Sequence, residues 1–251
     1  MNWRRDEVIV RFAGICGVLG ALLFFAGDML FYGFFGSVAE FAANASCVTM
    51  HRSTRCLMVG GLVGPPAAAL CIIGFWHVFR HVSSVWVTVG KLMLAAFFFL
   101  MVTGSAVHTL WAAKGLAVKY CAEQAGPCGE LLSTSRQYWT VAYDMSAVAG
   151  YFGAGILFFM IIFGVTSYPR WMVLTNPGVL ALCYPTVLLI PSPLGAIVAG
   201  GFTNLTIAVF FLASTLVTWR KIPSHSGGAT NPSAVTAYDK QVSWPNLLNA
   251  K

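Results

Sequence analysis

Charge is scarce in this sequence. Asp, Glu, Lys and Arg make up 9% of its 251 residues, where a soluble domain carries roughly 25%. Hydrophobic residues are 58% and the mean hydropathy is +0.75. Together these exclude a water-soluble globule and a disordered chain. The charges present are mostly basic, giving a net +7. Basic loops lying against anionic inner-leaflet lipid account for that excess, so no nucleic acid is expected as a partner. No CxxC pair, nucleophile elbow, protease motif, lipidation motif or retrieval signal occurs, and no internal repeat stands out.

What the sequence has is long apolar runs. A membrane helix needs about 20 such residues. Six stretches qualify, at about 8–36, 57–79, 86–113, 139–165, 171–190 and 196–219. The expected fold is therefore all-α: a polytopic transmembrane bundle of six spans over 1–221. The fifth span is interrupted by Pro177 and Pro185. Arg4 and Arg5 before the first span imitate a secretory signal, but the run is too long and contains Asp28. It reads as an uncleaved signal-anchor helix.

Lys and Arg orient the spans. With the N-terminus inside, ten of them lie inside (Arg4, Arg5, Arg11, Arg80, Lys91, Arg170, Arg220, Lys221, Lys240, Lys251). Five lie outside: Arg52, Arg55, Lys114, Lys119 and Arg136. Both termini are thus expected in the cytoplasm, in the plasma membrane or an endomembrane. Residues 222–251, rich in Ser, Asn, Pro and Gly, read as a mostly disordered cytoplasmic tail.

Cys16, Cys71 and Cys183 fall within spans and read as small packers. Cys47, Cys56, Cys121 and Cys128 all fall on the outer face, in loops at about 37–56 and 114–138. An oxidising exterior would favour one or two disulfides among them. Pairing Cys47 with Cys56 and Cys121 with Cys128 is the simplest of three connectivities. Asn44-Ala45-Ser46 is a glycosylation sequon on the same face.

Several segments carry a resemblance. They are Gly27-Asp28-Met29-Leu30-Phe31-Tyr32-Gly33, Tyr168-Pro169-Arg170-Trp171-Met172 with Asn176-Pro177, and Pro191-Ser192-Pro193-Leu194-Gly195 with Gly200-Gly201-Phe202-Thr203-Asn204-Leu205. Over roughly 12–219 the chain resembles an uncharacterised, mainly bacterial family of multi-pass membrane proteins of unknown function. The resemblance implies a helical membrane fold and no particular activity.

Ionisable groups inside a bilayer mark function by default. Here they are Asp28, His108 and Asp144, with Asn204, Ser105, Tyr32, Tyr143 and Tyr184 as neutral polar neighbours. At 1.5 Å per residue, Asp28 and His108 sit roughly 9 Å to the outer side of their span centres, Asp144 roughly 12 Å, and Asn204 and Tyr184 roughly 5 Å. One outer-half layer thus gathers polar residues from five spans. Asp28 and Tyr32 share a helix face, as do Ser105 and His108. No Lys or Arg lies in the layer, so a proton shared between an aspartate and His108 would be a transfer group. His77 falls near the inner interface, beside Arg80 and His81, and is left out of the site. The three ionisable groups have no HExxH or HxxxH spacing among them, so no metal is expected, and no cofactor.

Small residues at Ala13, Gly17 and Ala21, at Gly60 and Gly64, and at Gly150 and Ala154 permit close helix packing. Pro65-Pro66 should kink the second span. Seven of the tryptophans, Trp3, Trp76, Trp86, Trp111, Trp139, Trp171 and Trp219, fall near span ends.

Three functions follow. In the first, an enzyme takes a lipophilic substrate from the bilayer. Asp28, His108 and Asp144 act as acid and base, and Tyr32, Ser105, Tyr143, Tyr184 and Asn204 hold the substrate. Isomerisation, cyclisation or hydrolysis would suit that set. The second is a proton-coupled carrier using the broken fifth span, which at six spans would work as a homo-oligomer. The third is a non-catalytic lipid-binding or assembly protein. An enzyme requires Asp28, His108 and Asp144 to converge around a closed pocket.

Overall fold

In a computed structural model, the structure describes residues 3–32, 38, 41, 49, 51–124 and 128–220. Among these there are nine α-helices and no strand, only an isolated bridge between Val82 and Thr166. The order is α1 (Trp3–Tyr32), α2 (Thr54–Leu62), α3 (Gly64–Phe79), α4 (Val87–Gln124), α5 (Gly129–Ile162), α6 (Pro177–Ala181), α7 (Tyr184–Val187), α8 (Leu194–Gly200) and α9 (Phe202–Arg220). Five stretches are long and apolar enough to cross a membrane: Val8–Tyr32, Thr54–Phe79, Ser84–Glu123, Gly129–Ile162 and Phe202–Trp219. This is the make-up of a membrane protein. The segment 222–251, Asn44 and Cys47 lie outside the described residues.

The second span divides where its prolines demand it. α2 ends at Leu62, and Pro65 and Pro66 occupy the first turn of α3. A missing N–H costs nothing there, because first-turn donors have no intrahelical partner. The fifth apolar stretch is broken more thoroughly. Residues 170–200 form a 3₁₀ turn (Arg170–Thr175) and then α6, α7 and α8, so no single helix fills 171–190. Asn176 ties this segment to the bundle. Its amide Nδ2 donates to the Ala154 carbonyl at 3.0 Å, and its Oδ1 caps α6 by accepting from Gly178 N.

The second outer loop is a correction. Residues 114–138 were expected to be irregular, but α4 runs on to Gln124 and α5 begins at Gly129. A 38-residue helix is roughly 57 Å long, well beyond a 30 Å hydrocarbon core. The stretch 114–123 has no proline and one glycine, so nothing stops the helix once it leaves the apolar run. A disulfide between Cys121 and Cys128 closes the hairpin tip. Cys56 is a free thiol in the described structure.

Helices α1 and α9 run antiparallel. At the proximal end, where α1 begins and α9 finishes, the Arg11 guanidinium lies 5.0 Å over the Trp219 ring. At the distal end, Asp28 meets Asn204. Arg52 closes α1 there by donating to the last carbonyls, Met29 O at 2.9 Å and Leu30 O at 3.1 Å. The core between the ends is aromatic. Phe75 stacks on Phe97 at 4.0 Å and meets Phe211 at 4.8 Å, all of them fully buried.

Glycines on α1 set how near its neighbours come. A Cβ on Gly17 would lie 2.9 Å from Gly74 Cα and 2.8 Å from the Phe211 ring, and one on Gly20 2.7 Å from Cys71 N. Backbone of α3 therefore sits where a side chain would go. Gly17→Ala is expected to lower stability by about 1–3 kcal/mol, measured by unfolding in mixed micelles. Gly155→Ala, whose Cβ meets nothing within 4 Å, is expected to cost nothing.

Candidate polar centre in the distal half

The distal centre is built from three helices. Asn204 of α9 donates from Nδ2 to Asp28 Oδ2 at 2.7 Å. His108 of α4 sets Nε2 at 3.6 Å from Asp28 Oδ1, and the two side chains are 8% and 13% exposed. That distance is ion-pair range, too long for a hydrogen bond. The other imidazole nitrogen, Nδ1, faces the Gly60 carbonyl at 3.4 Å. A carbonyl only accepts, so Nδ1 carries the hydrogen. Nε2 and the carboxylate then face each other as two acceptors unless one proton lies between them.

Small residues make the meeting feasible. A Cβ at Gly27 would come within 3.2 Å of the His108 ring, and one at Gly64 within 3.1 Å of His108 Cβ and 3.0 Å of Ser105 O. Of the Gly60–Gly64 pair, legible as a packing motif, Gly64 admits α4, helped by Gly61, whose Cβ would lie 2.8 Å from Ala112 Cβ, while Gly60 makes room for the Phe31 ring of α1. Phe24 and Phe31 lie 4.8 and 5.6 Å from the imidazole, centroid to centroid, and wall it with hydrocarbon.

The remaining expected residues divide. Tyr32 is within electrostatic range of Asp28, Tyr143 and Tyr184. It also belongs to a chain of rings that passes through Trp111 (5.5 Å), Trp139 (4.8 Å) and Tyr143 (5.2 Å). Tyr184 packs on Phe202. Ser105 contributes its backbone to the Gly64 contact, with its side chain half-buried. Asp144 does not join. It is exposed, and it makes no hydrogen bond or ion pair among the described residues. Ser146, two residues on and so about 200° around the helix, is the side chain that α5 turns inward. Asp144 lies on the outward face of α5. The expected trio of acid–base groups is one carboxylate and one imidazole.

A second polar network, at the proximal end, was not foreseen. His77 is not at a wet interface but 1% exposed. Its Nδ1 donates to Val10 O at 2.8 Å, and its Nε2 lies 3.1 Å from Ser214 Oγ. Ser214 Oγ is in turn 2.7 Å from the Tyr168 hydroxyl. With His77 Nδ1 donating to a carbonyl, Nε2 of the neutral ring accepts the Ser214 hydrogen, which leaves the Ser214 oxygen to accept from the Tyr168 hydroxyl. The network therefore runs one way: Tyr168 to Ser214, Ser214 to His77, His77 to the backbone of α1. Every member is satisfied, as in a structural lock. The loop that carries Tyr168 is pinned by Ser167 N to His81 O and Ser83 N to Val165 O, both 2.9 Å. The available signal was Ser214, a polar residue in the last apolar run at the depth of His77.

Among the described residues no group of three or more His, Cys, Asp or Glu could hold a metal ion. A family model described as "Family of unknown function (DUF6796)" matches residues 1–221. No curated protein and no solved structure matches the chain.

Asn204→Leu removes the one hydrogen-bond donor to Asp28 Oδ2 found among the described residues and is expected to destabilise the protein by about 1–3 kcal/mol. Asp144→Asn is expected to stay within about 0.5 kcal/mol of wild type. Equilibrium unfolding of the two variants checks both.

Proposed function

The chain belongs to this family of unknown function, and we propose that it is a multi-pass membrane protein whose Asp28–His108 pair binds, and exchanges a proton with, a lipophilic ligand. The observation that carries this is the convergence of Asp28, His108 and Asn204 from three helices inside an apolar bundle. A carboxylate away from water is costly unless matched. A proton held between acid and imidazole is available to any third group brought against it. Asn204 fixes the carboxylate plane. Tyr143 and Tyr184, 48% and 37% exposed, provide a polar approach from the lipid-facing surface towards Tyr32 and Asp28. With Asp144 outside the centre, the chemistry reduces to one acid–base couple.

Six passages with both termini cytoplasmic fit this reading. Five long helices plus the broken segment 170–200 bring the chain back to its starting end, as the antiparallel pairing of α1 and α9 requires. Among the described residues, Lys and Arg divide seven to five in favour of the proximal side. The Cys121–Cys128 bridge at the distal end suits an oxidising exoplasmic or lumenal space. The distal centre then lies in the outer half of the bilayer. A second reading, a pure helix lock, is favoured by the direct 2.7 Å bond between Asn204 and Asp28.

Mass spectrometry of co-purified lipids separates the two. Wild type is expected to retain a lipophilic species that Asp28→Asn loses severalfold, while the variant's thermal stability stays close to wild type. Unchanged lipid content with lowered stability would leave only the lock. For the topology, membrane-impermeant thiol labelling of cysteines introduced at Val8 and Ser133 is expected to modify them from opposite sides of the membrane, Val8 from the cytoplasm. Labelling from one side would refute six passages.

A further inference from the structure

Away from the Asp28 centre, an apolar groove of about 390 Å³ runs along the exposed face of α9. Val209, Leu212, Ala213, Leu216 and Val217 form one side, and Trp171 of the 3₁₀ turn the other. These walls are hydrocarbon and indole, so within a bilayer they suit an acyl chain and not water. Leu216 and Trp219 are three apart and share a helix face. Trp219 therefore continues the wall towards the proximal end.

Just beyond the groove's last lining residues, Trp219 meets a cation. The Arg11 guanidinium lies 5.0 Å over the Trp219 ring, and its Nε is buried with no hydrogen-bond partner among the described residues. No carboxylate pairs with it, since the only ion pair among those residues is His108 with Asp28. The indole face attracts the guanidinium but leaves its in-plane N–H groups for an acceptor. A planar fork of donors matches phosphate oxygens.

We infer that the groove and Arg11 together form a site for one anionic phospholipid of the proximal leaflet. One acyl chain lies between Trp171 and α9, and the phosphate sits on Arg11. Trp171 and Trp219 flank the chain where indoles prefer the boundary between headgroup and hydrocarbon. The assignment rests on the orientation proposed above, in which the proximal end faces the anionic leaflet. It does not depend on the Asp28 ligand.

The test uses the full chain in nanodiscs of equal parts phosphatidylserine and phosphatidylcholine, with retained lipid read by native mass spectrometry. Wild type is expected to retain phosphatidylserine preferentially. Arg11→Gln is expected to cut that preference roughly fivefold, and Arg11→Lys to keep more of it than Arg11→Gln. Leu216→Trp, made at a position 54% exposed, fills the groove and is expected to displace the lipid whatever its headgroup. Asp28→Asn is expected to leave the retained phosphatidylserine unchanged, which separates this site from the distal one. No enrichment of phosphatidylserine on wild type, or equal enrichment on Arg11→Gln, would overturn the assignment.

Discussion

The hydrogen bond from Asn204 to Asp28 binds the first long helix to the last, and much of the bundle is arranged around it. A carboxylate surrounded by hydrocarbon must find partners within the protein, because lipid offers none. Asp28 finds two, an amide from α9 and an imidazole from α4. Both need backbones closer than ordinary side chains allow. Gly27, Gly61 and Gly64 open the space for α4 and its histidine. Gly201 leaves room for the Phe25 ring beside the start of α9. Packing and polarity are thus one problem: the glycines admit the partners, and the partners make the glycine contacts worth keeping.

The proximal end solves the same problem differently. There the buried polar groups form a closed relay, Tyr168 to Ser214 to His77 to the α1 backbone. It has no carboxylate, and its hydrogens are all committed. The distal centre has a proton with two homes. Between them lies the fully buried Phe75, Phe97 and Phe211 cluster. In the proposed function one end is a lock and the other a site, because only the Asp28–His108 pair would have a proton to exchange.

Much of this was legible in the residues. Apolar runs of bilayer length located the five long helices, since nothing else satisfies twenty backbone groups in lipid. Asp28, His108 and Asn204 stood out as polar residues in such runs at matching depth. Pro65-Pro66 and Asn176-Pro177 marked the breaks. Asp144 misled because depth is a linear coordinate and the inward face is an angular one. Only the packing of α5, with Ser146, Gly153 and Leu157 inward, fixes that angle. His77 misled because Arg80 and His81 suggest water nearby, while the 165–168 loop folds over the helix end and buries it. The continuation of α4 past residue 113 was missed because the apolar run ends there, while residues 114–123 have no proline and a single glycine to interrupt a helix.

The most direct test is a double-mutant cycle on unfolding free energy, combining Asp28→Ala with Asn204→Ala. A bond joining the two helices predicts a coupling energy of about 0.6–1.7 kcal/mol, the range measured between membrane helices. Effects that simply add, within about 0.3 kcal/mol, would contradict the central role given to that bond.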